Sequence, residues 1–349
     1  TQDHTLRSML GKAARALLAY ALEQPEPGFL VRAAIEFVIV TYSTDLCASR
    51  AVMAKIFDRD RLGKYGHEEV PAVCHKISMI GECDPEFVTN YVYRVVFDYE
   101  IVDDQKTNLN NSQILNLTSN ARQDYEMARW SLGEYLPKFL ELHPEEAVRV
   151  VINAVEGYVP REHPVSDGAI DVTFQVGGRS VRLREDRSYI WAHDPDSSHQ
   201  RDAESLVAKL RDHLKAASEP EALKVAEFLM AEASYAILWS RLFLCAVERG
   251  DSLIDLLWCI AGNELFLVLP DTRKDAIDVV AAGYARRSDS EKASFEIAAL
   301  TFDFSSFNYP ADARQAFLVR LFSAIGQDNL ITYEGGEILK DHHEDDSQE

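Results

Sequence analysis

The chain has 349 residues, a hydrophobic content of 47% and a formal charge of −21 at pH 7. That length supports a large buried core and about two domains. The charge excludes general binding to nucleic acid or anionic membranes, both of which need a positive field.

Five cysteines, Cys47, Cys74, Cys83, Cys245 and Cys259, are odd in number and form no C-x-x-C pair. Most sit among apolar helical neighbours, and they read as reduced, buried thiols of a cytoplasmic protein rather than a disulfide framework. The longest apolar run, 235–247, contains Ser240 and Arg241 and is too short to span a bilayer. The chain opens on Thr1, which fits either a piece of a longer protein or a processed N-terminus.

From Leu6 to about Phe139 the pattern is helix after helix. Leu6, Leu10, Ala13, Ala14, Leu17, Leu18 and Ala21 form one stripe, closed by Pro25 and Pro27. Short apolar helices follow over 29–42 and 46–57. The stretch 102–120 is rich in Asn, Ser and Thr and reads as a long loop, with Asn110 and Asn116 in glycosylation patterns that carry no meaning in a cytoplasmic protein. Helices are predicted again over 121–142 and 144–158.

Helix starts share one style. Asp84-Pro85-Glu86, His143-Pro144-Glu145 and Glu219-Pro220-Glu221 put proline where no helical N–H is needed and acid beside the positive helix end. Ser218 with Glu221 and Ser288 with Glu291 have the capping-box spacing.

Period-two alternation then interrupts the helices. Ile170, Val172, Phe174 and Val176 alternate with Asp171, Thr173 and Gln175, and Gly177-Gly178 suits a two-residue turn with positive φ. Folding there pairs Phe174 with Val181, Val172 with Leu183, Thr173 with Arg182 and Asp171 with Arg184, so that Phe174 and Val172 pack with Val181 and Leu183 on a neighbouring helix. A third strand is predicted over 188–192, and a polar turn over 193–200. Helices resume at Asp202 and are predicted over 221–235, 237–248, 253–260, 272–285, 291–300 and 311–325.

The rhythm predicts a mainly α fold of stacked helical hairpins, a HEAT- or TPR-like α-solenoid interrupted by a small antiparallel β-hairpin or three-stranded meander. The predicted divisions are an N-terminal helical array over 1–160, a hairpin insertion over 161–200, a C-terminal array over 201–330 and an acidic flexible tail over 331–349.

No phosphate-binding loop, dinucleotide fingerprint or nucleophile elbow occurs in the sequence, so no cofactor and no catalytic residue is assigned. Cys74-His75 are adjacent and point about 100° apart on a helix, which disfavours a nucleophile–base pair and leaves Cys74 as a small buried apolar residue. His193, Asp194, Asp196 and His199 are weak candidates for a metal, with a solvated Asp-Pro-Asp turn as the competing reading. The acidic run His342-His343-Glu344-Asp345-Asp346 reads as a solubilising end. Arg182, Arg184 and Arg187, with Tyr189 and Trp191, have the residue mix of a protein-binding surface. The competing reading has the arginines paired with Asp171, Glu185 and Asp186. Trp239 and Trp258 are assigned to the core.

Two segments, LPKFLELHPEEAVRVV continuing through Tyr158, and ASYAILWSRLFLCAVERGDSLIDLLWCIAGNELFLVLPDTRKDAIDVV over 233–280, resemble the helical regions that follow the ATPase core in large bacterial STAND-type proteins, including antiviral defence ATPases. The resemblance implies the sensor or scaffold part of a larger protein, with any ATPase activity in a domain outside this chain and with a phage protein or other subunits of a defence complex as partner. The reading is therefore a non-enzymatic protein-recognition or scaffold module in the cytoplasm, without membrane or nucleic-acid partners. The alternatives are an enzyme, metal-dependent or not, with a site near the 193–199 turn, and a purely structural role in self-assembly.

Overall fold

A computed structural model describes residues 2–25, 28–98, 120–197, 199 and 202–346. These are mostly helical, with one two-stranded antiparallel hairpin. No helix among them is long and apolar enough to cross a membrane. Of the loop expected over 102–120, residues 102–119, with Asn110 and Asn116, lie outside the described residues, and Asn120 begins a helix. The chain divides into two compact units, Thr1–Glu162 with His199–Leu210, and His163–Ser198 with Arg211–Glu349.

In the first unit α1 (Gln2–Leu22) packs on α2 (Gly28–Val40), burying Ala14, Leu18 and Ala21 on one and Val31, Ala34, Ile35 and Val38 on the other. Only part of the expected α1 stripe is core, since Leu6 and Leu10 are exposed. Next come α3 (Leu46–Ala54), capped by Asp45 through Ala48 N at 3.0 Å, and α4 (Arg59–Cys74), followed by the short α5 (Ile77–Gly81), α6 (Pro85–Phe87) and α7 (Arg94–Asp98). The unit continues with α8 (Asn120–Leu142), which packs on α4, and α9 (Pro144–Glu162), which packs on α7 and α8.

The Asp84-Pro85 start does more than begin a helix. Phe87 N donates to Asp84 Oδ1 (3.1 Å), as the cap requires. The same buried carboxylate also accepts from Tyr42 Oη (2.9 Å) and from Arg50 Nε and Nη2 (3.0 and 2.6 Å). Burial pushes the Cys74 thiol well up, and His75 beside it is exposed. Of the other cysteines, Cys245 is buried, Cys83 half-buried, and Cys47 and Cys259 exposed, so thiol burial is less general than the sequence suggested.

The second unit contains β1 (Asp171–Val176) and β2 (Arg179–Arg184) in the register derived from the sequence, turned by Gly177 (φ 57°) and Gly178 (φ 76°). Burial is uneven across the pair. Val181 and Leu183 are buried, Phe174 is half-buried beside Phe266 at 5.9 Å, and Val172 is exposed. Of the two strands, only β2 carries fully buried side chains.

The expected third strand is absent: residues 188–192 begin with α10 (Ser188–Trp191). Arg187 occupies the left-handed region (φ 56°) and Asp186 captures Ser188 N (2.9 Å), so the chain is turned into a helix before Tyr189, Ile190 and Trp191 can extend. The free edge of β2 instead meets Ser234 and Tyr235, through Arg184 N to Ser234 O (2.8 Å) and an isolated parallel bridge.

Helix α11 (Asp202–Ala216) belongs to the first unit through Leu210. From Arg211 the second unit continues with α12 (Glu219–Glu232), α13 (Ala236–Arg249), α14 (Ser252–Ala261), α15 (Glu264–Val268), α16 (Pro270–Tyr284), α17 (Asp289–Leu300), α18 (Pro310–Ile325) and α19 (Tyr333–Asp346). Helix α13 is buried on most sides and packs on α14 and α16. Trp239 is core, with its Nε1 donating to Arg182 O (3.0 Å), and Trp258 is core as well.

Ser288 forms the expected capping box, whereas Ser218 makes no side-chain cap. The tail differs from its reading as flexible, because α19 packs on α18 with Leu339 buried. Glu296 anchors its start by accepting from Ile331 N and Thr332 N, each at 2.9 Å. A single buried apolar side chain leaves no periodic pattern to read.

Candidate functional site

The site is built where the chain leaves β2. Asp186 is held from three directions. Its Oδ1 accepts from Ser188 N (2.9 Å), its Oδ2 from Ile237 N at the start of α13 (2.8 Å), and its carbonyl from Trp191 Nε1 (2.7 Å). From the first turn of α16, Asp271 Oδ1 accepts from Ser188 Oγ (3.2 Å) and Tyr189 N (3.4 Å). The His163 ring stacks flat on Trp191, with centroids 4.2 Å apart. These contacts fix α10 on the body of the unit and leave Tyr189 (57% exposed) and Ile190 (68% exposed) facing outward.

Beside them opens a cavity of about 390 Å³, with Tyr189, His193, Asp194 and Asp196 on its lining. Opposite, α16 contributes Asp271, Lys274 and Asp275, and α13 contributes Ser240, Arg241 and Glu248. Arg211 forms part of the wall. Its buried guanidinium donates to Glu248 through Nε (3.0 Å) and Nη2, and to Asp196 through Nη1 (2.9 Å). Arg211 holds Asp196 below the ordinary carboxylate range. Burial opposes the same effect at Glu248, but the Arg211 bonds win and Glu248 is lowered too.

Asp275 is 7% exposed and accepts from Ser240 Oγ at Oδ2. Its carboxylate forms no ion pair among the described residues, and burial raises it above its ordinary value. Burial, then the Asp271 carboxyl beside it, push Asp186 up to about 7. Asp271 is itself raised, chiefly by burial. The cavity thus combines the carboxylates Asp271 and Asp275 with the cations Arg211, Arg241 and Lys274, and has Tyr189 at its edge.

The residues singled out in the sequence fall into separate groups. Arg182 and Arg184 both pair with Asp171 (3.0 and 3.2 Å), and Arg184 also lies 4.4 Å over the Tyr235 ring. Arg187 pairs with Glu185 (3.7 Å) and donates to Ser166 Oγ (2.7 Å). Asp186, considered as an arginine partner, is instead a buried acceptor of backbone N–H groups. Trp191 is a packing residue against His163, and Tyr189 stands at the cavity rim.

Of the four metal candidates, His193, Asp194 and Asp196 line the cavity and His199 does not. Asp194 Oδ1 accepts from Asp196 N (2.9 Å), the turn chemistry of an Asp-Pro-Asp segment, while Asp196 is taken by Arg211. Among the described residues no three His, Cys, Asp or Glu side chains form a group able to hold a metal ion.

Sequence reasoning missed Arg211, Ser240, Asp271 and Asp275. A signal existed for three of them. Asp271 and Asp275 share the i, i+4, i+8 stripe of α16 with buried Val279, and Arg211 follows Ala203 and Val207 on the buried stripe of α11. Charged residues in apolar register mark a buried polar network. No protein-family model, curated protein or solved structure matches this chain.

Proposed function

We propose that this chain is a non-enzymatic recognition module that holds a protein partner at the cavity of its second unit. Tyr189 and Ile190 serve as apolar anchors, and the carboxylate-lined cavity takes a basic side chain of the partner. The observation that carries the reading is the one-turn helix α10, whose two most exposed side chains are large and apolar while its backbone is bonded to Asp186 and Asp271. A rigid aromatic–aliphatic pair beside desolvated charges is the composition of an interface hot spot, because little side-chain entropy is lost on docking. The net charge of −21 attracts a basic partner. The resemblance of 136–158 and 233–280 to STAND-type helical regions supports a phage protein, or another subunit of a defence complex, as that partner.

Capture from phage-infected cells tests the reading, with wild type and Tyr189→Ala/Ile190→Ala as paired baits. Both positions are exposed, so the melting temperature is expected to change little. A protein retained by wild type and lost by the double variant supports the module. Identical partner sets from the two baits contradict it. The enzyme reading near 193–199 has its own measurement: stoichiometric metal in purified protein that disappears in His199→Ala would replace recognition with metal chemistry.

A further inference from the structure

The first unit carries an open groove of about 630 Å³ between α1 and α3. Its charge runs against the character of the chain. Acids outnumber bases 57 to 36 over the whole sequence, yet the groove sets Lys12, Arg15 and Lys55 against Asp45 alone. That acid is already engaged: Asp45 Oδ1 caps α3 by accepting from Ala48 N (3.0 Å), and Oδ2 lies 3.9 Å from Arg15 Nη2. Lys12 and Lys55 are exposed and form no ion pair among the described residues.

Arg15 is held in place. Its side chain is 12% exposed, and Nη1 donates to Thr44 Oγ1 (3.1 Å) and Ser49 Oγ (3.3 Å). Gly11 permits this close approach, because a Cβ there would collide with Thr44 Oγ1. Nε and Nη2 make no hydrogen bond among the described residues, so a pre-positioned guanidinium keeps donors open.

Shape decides the class of ligand. The lining runs along α1 from Ser8 to Ala19 and along α3 from Asp45 to Lys55, about 15 Å in each case at the helical rise per residue. Lys12 and Arg15 stand toward the Thr44 end and Lys55 at the other, with Ala16, Ala48 and Ala51 between them. A small anion cannot reach both ends. A long polyanion such as nucleic acid would run past the groove onto a chain whose net charge is −21. The alanines allow another backbone to approach closely and offer it an apolar floor. A helix of about three turns fits the length, the floor and the charge together.

We propose that the α1–α3 groove is a docking site for an acidic amphipathic helix. Its apolar face lies on the alanines, and two carboxylates about eleven residues apart pair with Lys12 or Arg15 at one end and Lys55 at the other. Eleven residues make about three turns and bring both acids onto one edge. The surface is independent of the site at α10, and its ligand has the opposite charge to the one proposed there.

Selection from a displayed library of helical peptides tests this, with wild type and Lys12→Glu/Lys55→Glu as paired baits. Both lysines are exposed and unpaired, so the melting temperature is expected to change little. Wild type is expected to enrich apolar helices with acids three turns apart. A synthetic copy of the leading peptide should bind the charge-reversed protein roughly tenfold more weakly, the effect of reversing two rim pairs. Added salt should narrow that difference. Ala51→Trp fills the floor at an exposed position and should abolish binding of the same peptide with every lysine intact. No enrichment of acidic helices, or acidic helices that bind wild type and either variant equally, overturns the proposal. Neither variant touches α10, so that failure leaves the recognition reading of the second unit as it stands.

Discussion

Arg211 and Asp275 stand on the same cavity wall, yet their charges have opposite consequences. The Arg211 guanidinium is buried with Glu248 and Asp196 as partners. Truncating one member of such a set leaves its partners desolvated without compensation. Arg211→Met is expected to destabilise by about 3 kcal/mol in urea unfolding. Asp275 is raised by burial, which Arg241 and Lys274 offset only in part, so its ionised form is a cost to folding that a ligand can offset. Asp275→Asn is expected to raise stability by up to about 1 kcal/mol while weakening capture of the partner, the usual opposition between stability and function at a site. Lower stability together with unchanged capture would show that Asp275 has only a structural role.

Among the elements, the hairpin was the most legible in the sequence, because alternation, a Gly-Gly turn and charge pairing all specify one register. What alternation cannot say is which strand is backed. β2 carries the buried Val181 and Leu183, while Phe174 is half-buried. Leu183→Ala is therefore expected to cost about 3 kcal/mol and Phe174→Ala about half of that. Arg182→Glu, with an exposed partner, is expected to cost less than about 1 kcal/mol. Equal melting shifts for Leu183→Ala and Phe174→Ala would contradict the uneven backing.

Helix capping makes the same point. The Ser288 and Ser218 sequences are equivalent by spacing, but only Ser288 bonds Glu291. Ser288→Ala is expected to cost about 1 kcal/mol and Ser218→Ala close to nothing. Residues 188–192 have strand-like composition, yet Ser188–Trp191 form a helix because Asp186 and Arg187 turn the chain. The decisive interactions, with Ile237 and Asp271, come from far along the sequence. The cavity was half legible for the same reason: the 193–196 side of it is local, and the α11, α13 and α16 sides are tertiary.

For the molecule as a whole, the net charge of −21 bears on the pH response and on the proposed attraction of a basic partner. The stabilisation from the Asp186–Asp271 pair is fully present below about pH 4, the unfolded carboxylate value. It is lost as pH rises toward about 7, where Asp186 is placed by burial and by Asp271. Carboxylates lowered by arginine, such as Asp196 beside Arg211, act with the opposite sign and lose their contribution as pH falls. Subtracting the melting temperature of Asp271→Asn from that of wild type isolates the pair. The variant is expected to gain over wild type at pH 8 and not at pH 4.

Association with a basic partner should slow as salt is added, because the attraction acts over a Debye length of about 8 Å at physiological ionic strength. A rate independent of salt would remove charge from the account.

The most direct measurement is site-specific photo-crosslinking. A benzophenone side chain placed at Ile190 is compared with the same group at exposed Tyr309, in cells that contain the partner. A single discrete adduct from position 190, missing from position 309 and lost when Tyr189→Ala is added, is the expected result. Adducts that form equally at both positions, or only at 309, would contradict a recognition site on α10.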